Sequence, residues 1–255
     1  MFVANPWTDY AKNYDEGYYR GEGADPWIDY VYELEHPEAT VRQYEWRGIQ
    51  RLVDHLCPLT AETQWLDFGC GNGGLVRYVR AHSSCGIVGY DEGWAAGMAR
   101  DVEIPVLADL EALSHQEGKY DVITAIEVLE HVEKPLEVFG LLFRLLKPGG
   151  LLFLTTGNAE ANRTNFLNWR YVIPEILISY FEPGTIVEAM QRVGFRPERR
   201  GFLPGFADII RYKVLKNLRQ RKVGVWERML PWELVARIVD HFYKVTALPL
   251  GWKPR

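Results

Sequence analysis

The residues Trp65-Leu66-Asp67-Phe68-Gly69-Cys70-Gly71-Asn72-Gly73-Gly74 set a glycine-rich turn directly after a short apolar run and before a stretch of helical character. Glycine lets the backbone turn tightly and leaves space for a ligand against the main chain. Gly69, Gly71 and Gly74 also satisfy the GxGxxG spacing of dinucleotide-binding loops, so a nicotinamide oxidoreductase has to be weighed. Asp67 argues against it. A pyrophosphate at this turn would lie beside the Asp67 carboxylate, and the two anions would repel.

Short apolar runs continue on both sides of the turn: Gln64 to Phe68, Gly86 to Tyr90, Ile104 to Leu107, Tyr120 to Ile126 and Leu151 to Thr155. Between them Gly74 to Ala81, Trp94 to Arg100 and Pro135 to Leu146 read as crossover helices, and Lys147-Pro148-Gly149-Gly150 as a stop and turn. Strands alternating with helices predict βαβ units on a parallel sheet. The expected fold is therefore α/β, a Rossmann-like, doubly wound, mostly parallel sheet with helices on both faces. Residues 1–60, with a helix from about Thr40 to Leu56, read as an N-terminal helical cap, 61–200 as the core and 201–255 as a helical C-terminal extension of one overall domain. After the aromatic and amide-rich stretch Asn158 to Phe181, a helix is expected over Thr185 to Val193, closed by Gly194, with a strand at Phe195.

Acidic residues recur at the ends of the predicted strands. Asp91 closes Gly89-Tyr90-Asp91 about 20 residues beyond the glycine loop, the offset at which a carboxylate accepts both ribose hydroxyls. Asp109, in Val106-Leu107-Ala108-Asp109-Leu110, is placed to accept from an adenine amino group, although any one of these acids also suits a helix cap or turn. S-adenosylmethionine (SAM) brings adenosine, an ammonium and a sulfonium but no phosphate, so the carboxylate of Asp67 favours it over a dinucleotide.

In this order the strings DFGCGNGG, GYDEG, VLADL, YDVITAIEVLEHVEKP and LLKPGGLLFLTT closely resemble the class I SAM-dependent methyltransferases, with the branch that includes ubiquinone-biosynthesis O-methyltransferases the nearest. The likeness runs from about Trp65 to Phe195. It implies that Asp67, Gly69 and Gly71 hold the methionine end of SAM, Asp91 the ribose and Asp109 the adenine, with Ile126 lining the methionyl side and S-adenosylhomocysteine as the product. The stretches Asn168 to Tyr171, Pro174-Glu175, Tyr180-Phe181 and Gly194-Phe195 are similar to the same branch, but Ile176, Leu177 and Ile178 stand where that branch often carries a histidine. The family's sheet usually finishes with an antiparallel hairpin. No last strand is expected here, because Leu248-Pro249-Leu250-Gly251-Trp252 is interrupted by proline and glycine.

Methyl transfer from a sulfonium depends chiefly on positioning, and an alcohol acceptor also gains from a base within hydrogen-bond reach. His131 is the candidate, since Glu127-Val128-Leu129-Glu130-His131 follows the fourth strand at the ligand-binding edge. The same string is ExxEH, associated with a divalent metal in the ubiquinone branch, so base, metal ligand and helix-start residue stay open for His131. No metal is assigned. Upstream, Tyr14, Tyr18, Tyr19 and Arg47 are candidates to close over the cofactor, an arginine suiting SAM's carboxylate, with plain helix packing as the alternative. Asn158, Asn162, Asn165, Trp169, Arg170 and Tyr171 make a polar, aromatic wall for a small-molecule acceptor.

A formal charge of −5 over 255 residues disfavours nucleic acid as a partner. The D/N-P-P-Y/F of amino-methylating nucleic-acid enzymes is replaced by Ile126-Glu127-Val128-Leu129. Cys57, Cys70 and Cys85 lack paired spacing, Met1 to Asp9 has no basic start or apolar run, and no segment stays apolar long enough to span a bilayer, which together predict a cytoplasmic protein. Residues 208–222 read as a basic amphipathic helix, with Ile209, Tyr212, Leu215 and Leu218 near one face, and either docked on the core or offered to a membrane surface or partner. The expected activity is methyl transfer to an oxygen nucleophile. A catalytically silent SAM-binding module is the alternative.

Overall fold

The computed structural model describes residues 14–22 and 29–255. The start of the chain, on which the absence of a leader was argued, lies outside them. Three helices come first: α1 (Glu16–Tyr19), α2 (Tyr30–Glu35) and α3 (Arg42–Leu56). Then β1 (Gln64–Phe68), α4 (Gly74–His82), β2 (Gly86–Tyr90), α5 (Trp94–Asp101), β3 (Val106–Leu107), α6 (Leu110–Ser114), β4 (Tyr120–Ile126), α7 (Pro135–Leu145) and β5 (Leu146–Thr155) alternate as predicted. The chain closes with α8 (Pro183–Val193), β6 (Arg196–Glu198), α9 (Phe206–Asn217), α10 (Trp232–Tyr243) and β7 (Leu250–Trp252).

The sheet order is β3-β2-β1-β4-β5-β7-β6. The first five strands of that order are parallel, and β7 runs antiparallel to both β5 and β6. Strand order reverses between β1 and β4, so the carboxyl ends of these two strands frame a crevice, the usual ligand position in an open α/β sheet. Two apolar layers, one on each face, hold the sheet: Ile49, Leu52, Val76 and Val79 on one side, Phe139, Leu142, Leu145 and Ile186 on the other.

Two expectations fail here. The proline- and glycine-containing tail does supply a strand: Leu250, Gly251 and Trp252 pair with β6 and insert between it and β5. Pro249 lies just before the strand, where its missing N–H takes nothing from the ladder. Lys147 to Gly150, read as a pure turn, lies within β5 and bulges away from β4, since Tyr120 pairs with Leu146 and Val122 with Leu151.

The basic stretch 208–222 is also not one amphipathic helix. α9 ends at Asn217, its Ile209, Ile210, Tyr212 and Leu215 are buried, and Leu218 is left exposed. α9 packs between α3 and α10. Its charges meet acids from elsewhere in the chain: Arg211 binds Glu227, and Lys213 lies 3.3 Å from Glu45 and 3.1 Å from Glu127. Among the described residues no helix is long and apolar enough to cross a membrane.

Candidate active site

The turn after β1 is held by hydrogen bonds rather than by packing alone. The amides of Gly69 and Cys70 both donate to the carbonyl of Tyr90, at 2.8 and 3.1 Å, joining the end of β1 to the end of β2. Gly69 and Gly71 have φ of 75° and 54°, in the left-handed region. A methyl group on Gly69 would come within 2.4 Å of Val128, so no larger residue fits beneath the loop after β4.

Asp67 is buried at the mouth of this turn. Trp65 donates its indole N–H to Thr124 Oγ1 at 3.0 Å, and that hydroxyl donates to Asp67 Oδ1 at 2.7 Å, a chain that fixes the carboxyl. Burial raises the Asp67 pKa to about 7, against the lowering effects of the Thr124 hydrogen bond and the Arg42 charge. A cationic group brought alongside would restore the carboxylate. Asp91 accepts the amides of Gly71 and Gly93, and burial raises it despite those two bonds.

These residues open into a cavity of about 1530 Å³ along the carboxyl ends of the strands. That exceeds the ~300–1,000 Å³ typical of a site for one small molecule, so a cofactor and a second molecule fit together. Tyr18, Asp67, Gly69, Gly71, Asp91, Ile126 and His131 line it. Tyr14 and Tyr19 line it too, as do Asn158, Asn162, Asn165, Trp169, Arg170 and Tyr171.

Two expected residues are elsewhere. Arg47 does not line the cavity: its guanidinium makes a two-point pair with Asp208 on α9, Nε donating at 3.1 Å and Nη2 at 2.5 Å. Arg42, five residues earlier and so on another side of α3, is the arginine of that helix that lines the cavity. It is half-buried, pairs with Glu45 at 2.9 Å and donates to the Tyr212 hydroxyl at 2.9 Å. Asp109 is exposed, and its Oδ1 accepts the amides of Glu111 and Ala112 as the N-cap of α6. Here the helix-cap alternative describes the residue.

The ExxEH string splits three ways. Glu127, at φ 55°, accepts from Thr155 and Tyr171 and pairs with Lys213. Burial pushes its pKa up, but the charges of Lys213 and Lys216 outweigh that and hold it below the usual carboxylate range. Glu130 is fully buried, shares the single hydrogen of the same Tyr171 hydroxyl with Glu127, and is raised by burial and by Glu127. His131 lies beyond them, its Nδ1 2.9 Å from the carbonyl of Ile176 and 2.6 Å from the Tyr14 hydroxyl, which itself donates to that carbonyl at 2.9 Å. A carbonyl only accepts, so Nδ1 carries the hydrogen and the ring's lone pair is on Nε2. Among the described residues no group of three His, Cys, Asp or Glu side chains is disposed to hold a metal ion.

Against known proteins, residues 40–199, more than half of the chain, match the family described as a methyltransferase domain. The chain belongs to the methyltransferase domain family. Over 115 residues it is 34% identical to a ubiquinone biosynthesis O-methyltransferase of Pseudomonas paraeruginosa, covering 42% of this chain and 49% of that one. The like-named protein of Thiobacillus denitrificans is 35% identical over 122 residues, 44% and 51% of the two chains. The chain thus spans about half the length of these curated relatives. Solved structures share the fold: a chain from the complex of the Haloferax volcanii Trm112 methyltransferase activator with a methyltransferase has a TM-score of 0.58 at 15% identity, covering 99% of this chain and 100% of that one. A SAM-dependent methyltransferase from Archaeoglobus fulgidus gives 0.53 at 14%, with 88% and 98% covered.

Proposed function

We propose that this methyltransferase moves the methyl group of SAM to an oxygen of a small molecule, with His131 as the base. The observation that carries this reading is one cavity with a buried carboxylate and a glycine turn along its lining and, in its wall, a histidine whose Nδ1 lies 2.9 Å from the Ile176 carbonyl. When bound, SAM supplies a methyl group on a cationic sulfur, whose thioether is a good leaving group.

The residues present fit that cofactor. Asp67 gives a carboxylate for the ammonium, Arg42 a half-buried cation in the same cavity for the carboxylate, and Asp91 an acceptor for the ribose hydroxyls. Arg42 takes the part first expected of Arg47. Gly69 and Gly71 leave the main chain open to the ligand, while Tyr18, Tyr19 and Ile126 exclude water from the same end. For the acceptor, the Asn158 to Tyr171 wall offers amides and aromatic faces, and His131 Nε2 takes up the proton that the hydroxyl loses.

Three cysteines without disulfides fit a reducing compartment, and we place the protein in the cytoplasm. We treat 1–60, 61–200 and 201–255 as cap, core and extension of one unit, because α3 and α9 pack closely together. Calorimetry with SAM, followed by a screen of hydroxylated acceptors with radiolabelled SAM, tests the assignment. Absence of SAM binding would overturn it, whereas binding without turnover on any acceptor would reduce the chain to a SAM-binding module.

A further inference from the structure

The segment after α9 carries apolar side chains that the core does not use. In α10, Leu234, Ile238 and Phe242 recur every four residues and so lie along one stripe, and they are 58%, 51% and 70% exposed. Trp226 and Met229, in the short helical turn Trp226–Met229 before it, are also exposed. The opposite side of α10 is the docked one, with Trp232 and Ala236 buried. An ordinary surface scatters its apolar residues singly, so five large ones within seventeen residues mark a contact surface.

Charge says what the surface meets. Between Asn217 and Lys244 stand six basic residues, Arg219, Arg221, Lys222, Arg228, Arg237 and Lys244, against three acids, in a chain whose formal charge is −5. Two of those acids are taken up: Glu227 is buried under Arg211, and Asp240 accepts from the amide and hydroxyl of Thr246. Only Glu233 is left as an exposed acid of the three, while of the bases Arg221 pairs with Asp29 at 3.4 Å and Lys222, Arg228, Arg237 and Lys244 are exposed. Aromatic and aliphatic side chains on an exposed helical stripe, with exposed lysine and arginine in the flanking chain, suit a helix that lies in the interface of an anionic bilayer.

We infer that residues 217–244 form a docking surface for an anionic lipid membrane. The stripe inserts among the acyl chains, the basic side chains meet the lipid phosphates, and the helix lies along the surface. Val239 and Tyr243 of the same helix line the cavity, so the bilayer contact and the cavity share a wall. The inference does not depend on the identity of the methyl acceptor.

The test floats the purified full-length chain with phosphatidylcholine vesicles, with and without phosphatidylglycerol. The parent protein is expected to rise with the phosphatidylglycerol vesicles, to be released by high salt, and to stay behind with phosphatidylcholine alone. Ile238→Asp with Phe242→Asp changes two exposed positions outside the cavity lining and should cut the bound fraction by about tenfold or more, with SAM binding unchanged as evidence of intact folding. Lys222→Glu with Arg228→Glu should weaken binding while leaving the apolar stripe in place. Failure of the parent to float, or equal flotation of the aspartate variant, overturns the inference. Concentration-dependent dimerisation that the same aspartates abolish, without flotation, overturns it in favour of a second copy of the chain.

Discussion

Asp91 Oδ2 accepts the amide hydrogen of Gly71 at 2.9 Å, while its Oδ1 accepts that of Gly93 at 2.6 Å. One carboxylate thus ties the end of β2 to the glycine loop and starts α5. In the proposed complex it also receives the ribose, so its removal acts both on loop order and on the ligand. Asp91→Ala should weaken SAM binding by at least about tenfold, since a charge-assisted contact is worth about 1.5–3 kcal/mol. Calorimetry checks this, and parental affinity in the variant would remove Asp91 from the cofactor site. NAD should not compete.

Asp67 gives SAM binding a pH signature. With its pKa raised to about 7 in the empty cavity, the group is about half protonated at neutrality, and a neighbouring ammonium draws out the charged form. Binding at pH 7 should therefore release up to about half a proton, seen as a dependence of the calorimetric heat on buffer ionisation enthalpy. Asp67→Asn should abolish the release and weaken binding. A release that persists in the variant belongs to another group.

The same shift sets the stability of the ligand-free protein. Burial raises Asp67 from 3.8 and Glu33 from 4.5, each to about 7. For groups raised in the folded state, the stabilising contribution is complete below the unfolded pKa and is lost as pH rises through the folded one. Glu127 runs the other way, but its loss of stability falls below the ordinary carboxylate range. The melting temperature should accordingly decline between about pH 5 and pH 8. Asp67→Asn should flatten that decline, an outcome that thermal denaturation across the range decides.

Arg42 and Arg47 of α3 separate binding from packing. Arg42→Ala removes the half-buried cation that shares the cavity with Asp67 and should lower SAM affinity by about tenfold or more. Arg47→Ala breaks a partly exposed pair with Asp208, which keeps Arg51 at 3.0 Å. Its expected cost is at most about 1 kcal/mol of stability, with SAM affinity within about twofold. Equal losses of affinity in both variants would contradict the placement of Arg42.

The contrast between these residues shows what the sequence could and could not reveal. The strands at Gln64, Gly86 and Tyr120 and the glycine loop were legible because their information is local: apolar runs, turn residues and their order. Arg42 and Arg47 are both arginines on one helix, and periodicity says they face different ways without saying which way the cavity lies. Asp109 was ambiguous for the opposite reason, since a residue fit for a ligand is also fit to cap α6. The buried role of α9 was hidden because Glu45, Glu127 and Glu227, which satisfy its cations, are distant in sequence. β7 was missed because a three-residue strand between two others owes its existence to pairing, with little local preference behind it.

His131 carries the prediction on mechanism. Its Nδ1 hydrogen is oriented by the Ile176 carbonyl, with the Tyr14 hydroxyl beside it, so the imidazole presents Nε2 as its basic nitrogen. A base that removes a hydroxyl proton as the methyl group transfers contributes typically 10²–10⁴-fold. Once an acceptor is found, His131→Ala should therefore lower kcat by about 10²-fold or more and leave SAM affinity nearly intact. Tyr14→Phe removes one neighbour of Nδ1 but keeps the Ile176 carbonyl, so its effect on kcat should be much smaller. Chelator treatment should leave activity unchanged, because Glu127 and Glu130 are committed to Lys213 and Tyr171 and do not converge with His131. Full turnover in His131→Ala would eliminate the base and leave positioning alone. Activity lost to chelator and restored by magnesium or zinc would show instead that the three side chains regroup around a metal.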